Sequence, residues 1–368
     1  MRKKIKLAMV TASFSINGIS AVIMNYCRYM DLDRFEITIM AGIPVDSSYK
    51  EECERKGICI LELPSKKQDS GRYYRALWEA LSNGYDIAHI HGNSAVIAAE
   101  LFLAYMRGIG IRIAHCHSTS SGHVYLHHLL KPVFHALYTE GFSCSLPAGK
   151  WLFQKRKFSI IPNAFDTGKF RFRNKDRLEI REQLHIQNGF LIGHVGRFNK
   201  AKNHTFILEV FRKAAEKNPD AYLILVGDGP DFEKIEGQIR EHPFRSRIII
   251  YGETQEPEKI YAAMDVFLFP SQHEGLGIVL VEAQISGLPC VVSDVVPQEV
   301  KLGGQVTFLS LNDDISLWCN ALVCPKTYNR EKFYEENIEA INRYDIYENV
   351  HYLEKLYLSF LKDKHNRL

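Results

Sequence analysis

Residues Val266 to Asp294 read VFLFPSQHEGLGIVLVEAQISGLPCVVSD. The run Val266–Phe269 is short and wholly apolar, as for a buried strand, and Pro270 and Ser271 end it. Glu274, Gly275, Leu276 and Gly277 follow, then IVLVEAQ, helical by pattern, then a second buried-strand run, PCVVSD. Strand, loop, helix and strand in that order form the repeating unit of a parallel sheet covered on both faces. Gly275 and Gly277 let backbone amides approach a ligand, and a helix starting at Ile278 adds N–H groups with no partner inside the helix. That turn suits an anion, and a diphosphate in particular. Glu274 stands in the loop, with Glu282 about two turns further on. Two carboxylates so spaced could hold two hydroxyl pairs of one elongated ligand.

The same rhythm runs outward in both directions. Apolar runs begin at Ile5, Phe35, Ile58, Ile87, Arg112 and Phe142, and again at Phe190, Ala221, Arg247, Val266, Pro289 and Gln305. Amphipathic stretches such as SAVIMNYCRYM and RYYRALWEAL lie between them. SIIPNAFDTGKF breaks the pattern with Pro162, Asn163, Asp166 and Gly168, and is read as the inter-domain linker. The prediction is two doubly wound Rossmann-like α/β domains, residues 1–165 and 166–344, facing a central cleft at the carboxyl ends of their strands. Beyond Trp318 the chain is charged, aromatic and helical by pattern; a terminal helix over 345–368 is expected to pack back on the first domain.

Composition narrows the function. The 368 residues are 46% apolar and 24% charged, ordinary globular values that exclude collagen-like and disordered classes. A net charge of +3 is too balanced for a protein that coats nucleic acid. No apolar run approaches the ~18 residues that span a bilayer. The opening MRKKIKLAMVTASFS has the look of a secretory leader, but Lys6 interrupts its short apolar part, so it is read as the first strand. None of the eight cysteines forms a CxxC pair and most lie in apolar runs, as buried free thiols in a reducing compartment would.

The segment HEGLGIVLVEA, preceded by VFLF and trailed by SGLPCVVSD, resembles the donor signature of the retaining glycosyltransferases of GT-B fold, family four. The resemblance extends over nearly the whole chain. It implies that Glu274 contacts hydroxyls of the transferred sugar, that the amides of Gly275, Leu276, Gly277 and Ile278 face the donor, and that Glu282 binds the ribose hydroxyls. In HVGRFNKAKNH, Arg197 ends a strand and Lys202 follows five residues later. Two cations there suit a diphosphate that gains negative charge as the glycosidic bond breaks. The family carries an Arg and a Lys at these places as its diphosphate clamp; Asn203 and His204 follow in the same loop. FSINGISAVIMNY resembles the family's glycine-rich first loop, with Gly18 alone where a Gly pair is common, after Asn17. That loop usually lies near the donor phosphates and the acceptor. RIAHCHSTSS ends a strand with His115, read as core, and His117, where relatives that build surface polysaccharides carry a His near the reacting sugar. His89 and His91 in IAHIHG end another strand.

Asp31-Leu-Asp33 has the D-x-D form of a metal motif but follows a helical pattern and precedes a strand, so no metal is expected. Gly227-Asp-Gly-Pro230 is, by the resemblance, a structural turn near the nucleotide base. No G-x-G-x-x-G follows a strand and no G-x-x-x-x-G-K-[ST] occurs, which disfavours a dehydrogenase and a P-loop kinase. The expected activity is transfer of a sugar from a nucleoside-diphosphate donor, a UDP-sugar, to a saccharide acceptor with retention and no cofactor. Two alternatives stay open: a GT-B sugar-nucleotide 2-epimerase, and a non-catalytic partner subunit. YLHHLLKPVFHALY (125–138) and KWLFQKRKF (150–158) mix aromatics with cations. Exposed, they suit an anionic membrane surface, a lipid-linked acceptor and a peripheral place on the cytoplasmic leaflet. Alternatively, the aromatics are core and the cations a solvated face.

Overall fold

The structure is a computed structural model and describes residues 4–15, 18–119, 122, 124–274, 276–323 and 329–365. The chain divides into two compact units, residues 1–165 with 343–368, and residues 166–342.

The first unit holds strands β1 (Ile5–Thr11), β2 (Phe35–Gly42), β3 (Cys59–Leu63), β4 (Ile87–Gly92), β5 (Ile111–Cys116), β6 (Glu140–Ser143) and β7 (Ser159–Ile160). All pair in parallel in the order β3-β2-β1-β4-β5-β6-β7. Their unbroken apolar runs follow from burial on both sides. In β1, Leu7 and Met9 join one core cluster while Ala8 and Val10 join another on the opposite face. The order reverses between β1 and β4, the point at which open α/β sheets leave a crevice at their carboxyl ends.

One sequence boundary is corrected. Ser159 and Ile160, expected in the linker, form the edge strand β7 against β6, and the Ile161 N–H donates to the Ser143 carbonyl at 2.8 Å. Two residues are too few to show any strand periodicity. The helix Ile346–His365 lies in the first unit. Its residues Ile346, Val350, Leu353 and Tyr357, spaced as one helical stripe, are buried in the cluster that holds Leu7 and Met9. Glu354 accepts the Asp31 N–H at 2.7 Å, and the Tyr357 ring meets Phe35 edge-on.

The second unit holds β8 (Phe190–Val195), β9 (Ala221–Val226), β10 (Ile248–Gly252), β11 (Val266–Phe269), β12 (Cys290–Ser293) and β13 (Val306–Leu309). They too are all parallel, in the order β10-β9-β8-β11-β12-β13. Asp265, just before β11, receives Arg177 and Arg181 from the helix Asn174–Gln183 and the Leu191 N–H of β8. That clamp fixes a helix and two strand starts together. Among the described residues seven cysteines are free thiols, six of them buried and Cys59 exposed. No helix of the described residues is long and apolar enough to cross a membrane.

Candidate functional site

The second unit gathers its candidate residues at the carboxyl ends of β8, β9 and β11. The Gly227-Asp-Gly turn packs on the loop that follows β8: Phe198 donates to the Asp228 carbonyl at 2.9 Å, and Gly196 to Val226 at 2.9 Å. Glycine is needed there for close approach, since a Cβ at Gly229 would stand 2.4 Å from the Phe198 carbonyl oxygen. Arg197 is exposed on this loop. The Asn199 side chain accepts the Lys202 N–H at 3.2 Å and closes the short turn Lys200–Lys202. Lys202 then reaches across: its Nζ donates to Glu274 Oε1 at 2.5 Å and lies 4.6 Å from the centroid of the Phe269 ring. The Gln272 N–H donates to the Ala201 carbonyl at 2.8 Å and stitches the two loops. The two side chains are 16% and 10% exposed, so the ion pair is largely shielded from water and neither partner is readily lost alone.

Gly277 precedes the helix Ile278–Ile285 with a φ of +74°, a conformation that other residues adopt only at a cost. Leu276 is buried and Ile278 half-buried; Gly275 lies outside the described residues. Glu282, on that helix, is half-buried and accepts the Tyr261 hydroxyl at 2.9 Å. Burial pushes its carboxyl up to about 7, opposed by the Tyr261 hydrogen bond and, more weakly, by the charge of Lys202. Tyr261 was not legible as a site residue; it stands on the helix Pro257–Ala263 among apolar neighbours. Arg330 was missed too. Its guanidinium donates to the carbonyls of Tyr261 (3.0 Å), Met264 (2.7 Å) and Ser286 (2.9 Å), at the carboxyl ends of the helices that carry Tyr261 and Glu282. Asn203 opens the helix His204–Lys217 in a left-handed conformation, and the buried His204 ring stacks on Phe198 at 4.1 Å, facing core.

In the first unit, Gly18 is exposed at the start of the helix Gly18–Tyr29, where a Cβ would meet nothing within 4 Å; Asn17 lies outside the described residues. His117 follows β5 and belongs to a ladder of four imidazoles. His91 Nδ1 and His117 Nε2 are 2.9 Å apart, and His89 Nε2 and His115 Nδ1 are 3.0 Å apart. His89 Nδ1 bonds the Tyr357 hydroxyl at 2.6 Å. Within each strand the rings stack, at 4.3 Å for His89 and His91 and 4.1 Å for His115 and His117. The signal in the sequence was the H-x-H spacing on two neighbouring strands, which puts all four on one sheet face. Burial pushes His117 down to about 4 and holds the other three well below the ordinary value, so the ladder is neutral at neutral pH. Ring nitrogens of His89, His91 and His115 lie within 4.8 Å of one another, the spacing of a possible metal triad, though two of these rings are bonded to each other. Asp31 and Asp33 sit in the turn between a helix and β2, where Asp31 Oδ1 accepts the Asp33 N–H at 3.0 Å.

The two aromatic-cationic stretches divide. On the helix Val124–Leu137, Phe134 and His127 are buried, whereas Tyr125, Leu129 and Val133 are 84%, 61% and 50% exposed, one turn apart along one stripe. In 150–158 the aromatics turn inward, as in the second of the two readings of that stretch. Trp151 stacks on His127 at 4.3 Å, and Phe153 and Phe158 pack into the core cluster, because the amphipathic helix Leu146–Phe153 needs an apolar face. Lys155, Arg156 and Lys157 remain exposed.

Residues 176–303 match the family of glycosyl transferases group 1. Over 97% of both chains the sequence is 29% identical to a Bacillus subtilis (strain 168) protein named as glycosyltransferase EpsF. Over 76% of this chain and 77% of the other it is 27% identical to the Escherichia coli UDP-Gal:alpha-D-GlcNAc-diphosphoundecaprenol alpha-1,3-galactosyltransferase. The crystal structure of Anabaena Alr3699/HepE in complex with UDP-glucose superposes with a TM-score of 0.78 at 18% identity, over 96% of this chain and 99% of that one. The fold is GT-B, and the matches support a glycosyltransferase.

Proposed function

We propose that this GT-B glycosyltransferase moves a sugar from a UDP-sugar to a saccharide acceptor, lipid-linked, in polysaccharide biosynthesis, with retention of anomeric configuration. One observation carries the reading: Lys202 and Glu274 are paired ahead of the helix Ile278–Ile285, which carries Glu282 on its second turn, with Arg197 on the loop that holds Lys202. A diphosphate competes with Glu274 for the Lys202 ammonium and frees the Glu274 carboxylate for hydroxyls of the transferred sugar. Arg197 adds a second cation. As the bond from the anomeric carbon to the diphosphate oxygen breaks, charge accumulates on the phosphate that Arg197 and Lys202 face, and this is where stabilisation lowers the barrier. The acceptor oxygen bonds the anomeric carbon from the same side, and its proton passes to the leaving phosphate. Glu282 takes the ribose hydroxyls, a contact equal in ground and transition states. Gly18 and the neutral His117 belong to the acceptor side, His117 as a hydrogen-bonding group. The diphosphate is met by side-chain cations and backbone amides, with no metal and no cofactor.

The lipid-linked acceptor is supported by the name of the E. coli relative and by the exposed stripe Tyr125, Leu129 and Val133. The helix Val124–Leu137 has no acidic residue, and Arg156, exposed, donates to the His135 carbonyl, which brings a cation to the carboxyl end of that helix. That face meets an anionic bilayer, with the enzyme peripheral on the cytoplasmic leaflet. Thermal shift with UDP and a panel of UDP-sugars tests the donor reading, since a bound ligand raises Tm by mass action. No shift with any of them refutes it. Incubation with the nucleotide sugar alone separates the epimerase reading, because an epimerase turns it over without acceptor.

A further inference from the structure

Two residues besides Glu274 shape the path of the Lys202 side chain. Its aliphatic part lies on Gly196, just past β8: a Cβ there would stand 3.2 Å from both Lys202 Cδ and Cε. At its far end, Nζ lies 4.6 Å from the centroid of the Phe269 ring. Phe269 closes β11 and has no exposed surface. The ring is wedged in place. It stacks on Phe267 at 5.7 Å and on His194 at 5.9 Å, and a Cβ at Gly277 would stand 3.4 Å from its Cε1. Burial holds His194 well below the ordinary value and His204 down to about 4, so neither of these imidazoles adds a positive charge beside Lys202 at neutral pH. An ammonium has three N–H donors, yet among the described residues Glu274 is the one hydrogen-bond partner of this one. With its side chain only 16% exposed, Lys202 has given up most of its water. The negative face of an aromatic ring is what the fold supplies in its place.

We propose that Phe269 is a positioning residue: its ring face holds the Lys202 ammonium in place and out of water, so that a diphosphate finds the cation preset. Phe269 itself touches no substrate. The proposal rests on the donor reading above, in which the diphosphate takes Lys202 from Glu274. At that moment the ion pair no longer anchors the ammonium, and the ring is the protein contact that remains. Leucine at 269 fills much of the same space but has no π face. The ammonium then returns to water in the free chain. Binding must draw it in and order a long flexible side chain, and that cost appears as lost affinity.

The test uses the full chain with phenylalanines carrying one, two and three ring fluorines placed at 269. Each fluorine draws electron density from the ring face while the buried shape, and hence the fold, is kept. The Kd for UDP should rise stepwise along the series, reaching about tenfold, the scale of one desolvated contact between a cation and a ring. Phe269→Leu should weaken UDP by about the same factor. In Lys202→Met, which has no cation to seat, the fluorine series should be flat. Independently of any donor, NMR of the free chain should show the Lys202 ε-methylene protons moved upfield by the ring current, and Phe269→Leu should abolish that displacement. A flat series in the otherwise unaltered chain would mean that the ring only packs, and would overturn the proposal. So would a fluorine effect that persists in Lys202→Met, or Lys202 protons with no ring-current displacement. If UDP binds and the series is flat, the donor reading stands and this one falls. If UDP does not bind at all, the donor reading falls, and the ring-current displacement alone decides whether Phe269 seats Lys202.

Discussion

Donor affinity should depend on pH through Glu282, with a size set by its burial. The carboxyl titrates at about 7 in the free chain because burial outweighs the Tyr261 hydrogen bond. Only the ionised form offers acceptors to both ribose hydroxyls. With that midpoint about nine tenths of the chains are ionised at pH 8 and about one tenth at pH 6, so the Kd for UDP should rise about tenfold across those two units. Isothermal titration at pH 6, 7 and 8 measures it. UDP phosphates titrate in part of the same range, so Glu282→Gln is the reference: its binding is weaker at pH 8 but keeps only the phosphate slope. Tyr261→Phe removes a donor to the carboxylate, a bond worth about 1.5–3 kcal/mol, and should move the midpoint up by about one to two units. The same group carries a stability signature of opposite sense. A carboxyl raised from 4.5 to about 7 favours the folded chain below the unfolded value, and that contribution is lost as pH rises through 7. Above pH 7 the ionised Glu282 costs up to about 3 kcal/mol, so Glu282→Gln should raise Tm there and not at pH 4. Identical UDP slopes in wild type and Glu282→Gln would refute the assignment of the ribose to Glu282.

Arg197→Ala and Lys202→Ala should each lower kcat by about 10²- to 10³-fold, the scale for removing one stabiliser of transition-state charge; normal turnover in the double variant would put the diphosphate elsewhere. Arg330→Ala should lose about 3 kcal/mol or more in chemical denaturation, because several buried carbonyls lose their donor, and should weaken UDP binding by loosening Tyr261 against Glu282. Acid should destabilise the first unit: the four neutral ladder histidines contribute stability that is fully present above the ordinary histidine value of about 6.5 and is lost as pH falls below it, through about 4 for His117, and His91→Gln should flatten that limb of a Tm-versus-pH curve. Vesicles with anionic lipid should co-sediment the protein at low salt and release it at high salt, and a triple Glu replacement of Lys155, Arg156 and Lys157 should abolish this without changing UDP affinity; equal pelleting with neutral vesicles would refute the charge argument.

The architecture was legible before any coordinates, because parallel strands buried on both faces must be apolar without interruption and helices between them must alternate. The runs beginning at Ile5, Phe35, Val266 and Pro289 say as much without any coordinates. The glycines and acids between Phe269 and Glu282 were legible for the same reason: a strand-to-helix turn of that composition has few uses. Three kinds of fact needed the tertiary structure. Edge pairing at Ser159 and Ile160 depends on where β6 lies, since two residues carry no period. Tyr261 and Arg330 reach Glu282 and its helix from 21 and 44 or more residues away, and no local pattern marks a residue whose partner is set by packing. The protonation of the site was equally out of reach. Glu282 reads as a charged helix residue and His117 as an ordinary histidine; only the desolvation imposed by neighbouring elements raises the one to about 7 and lowers the other to about 4.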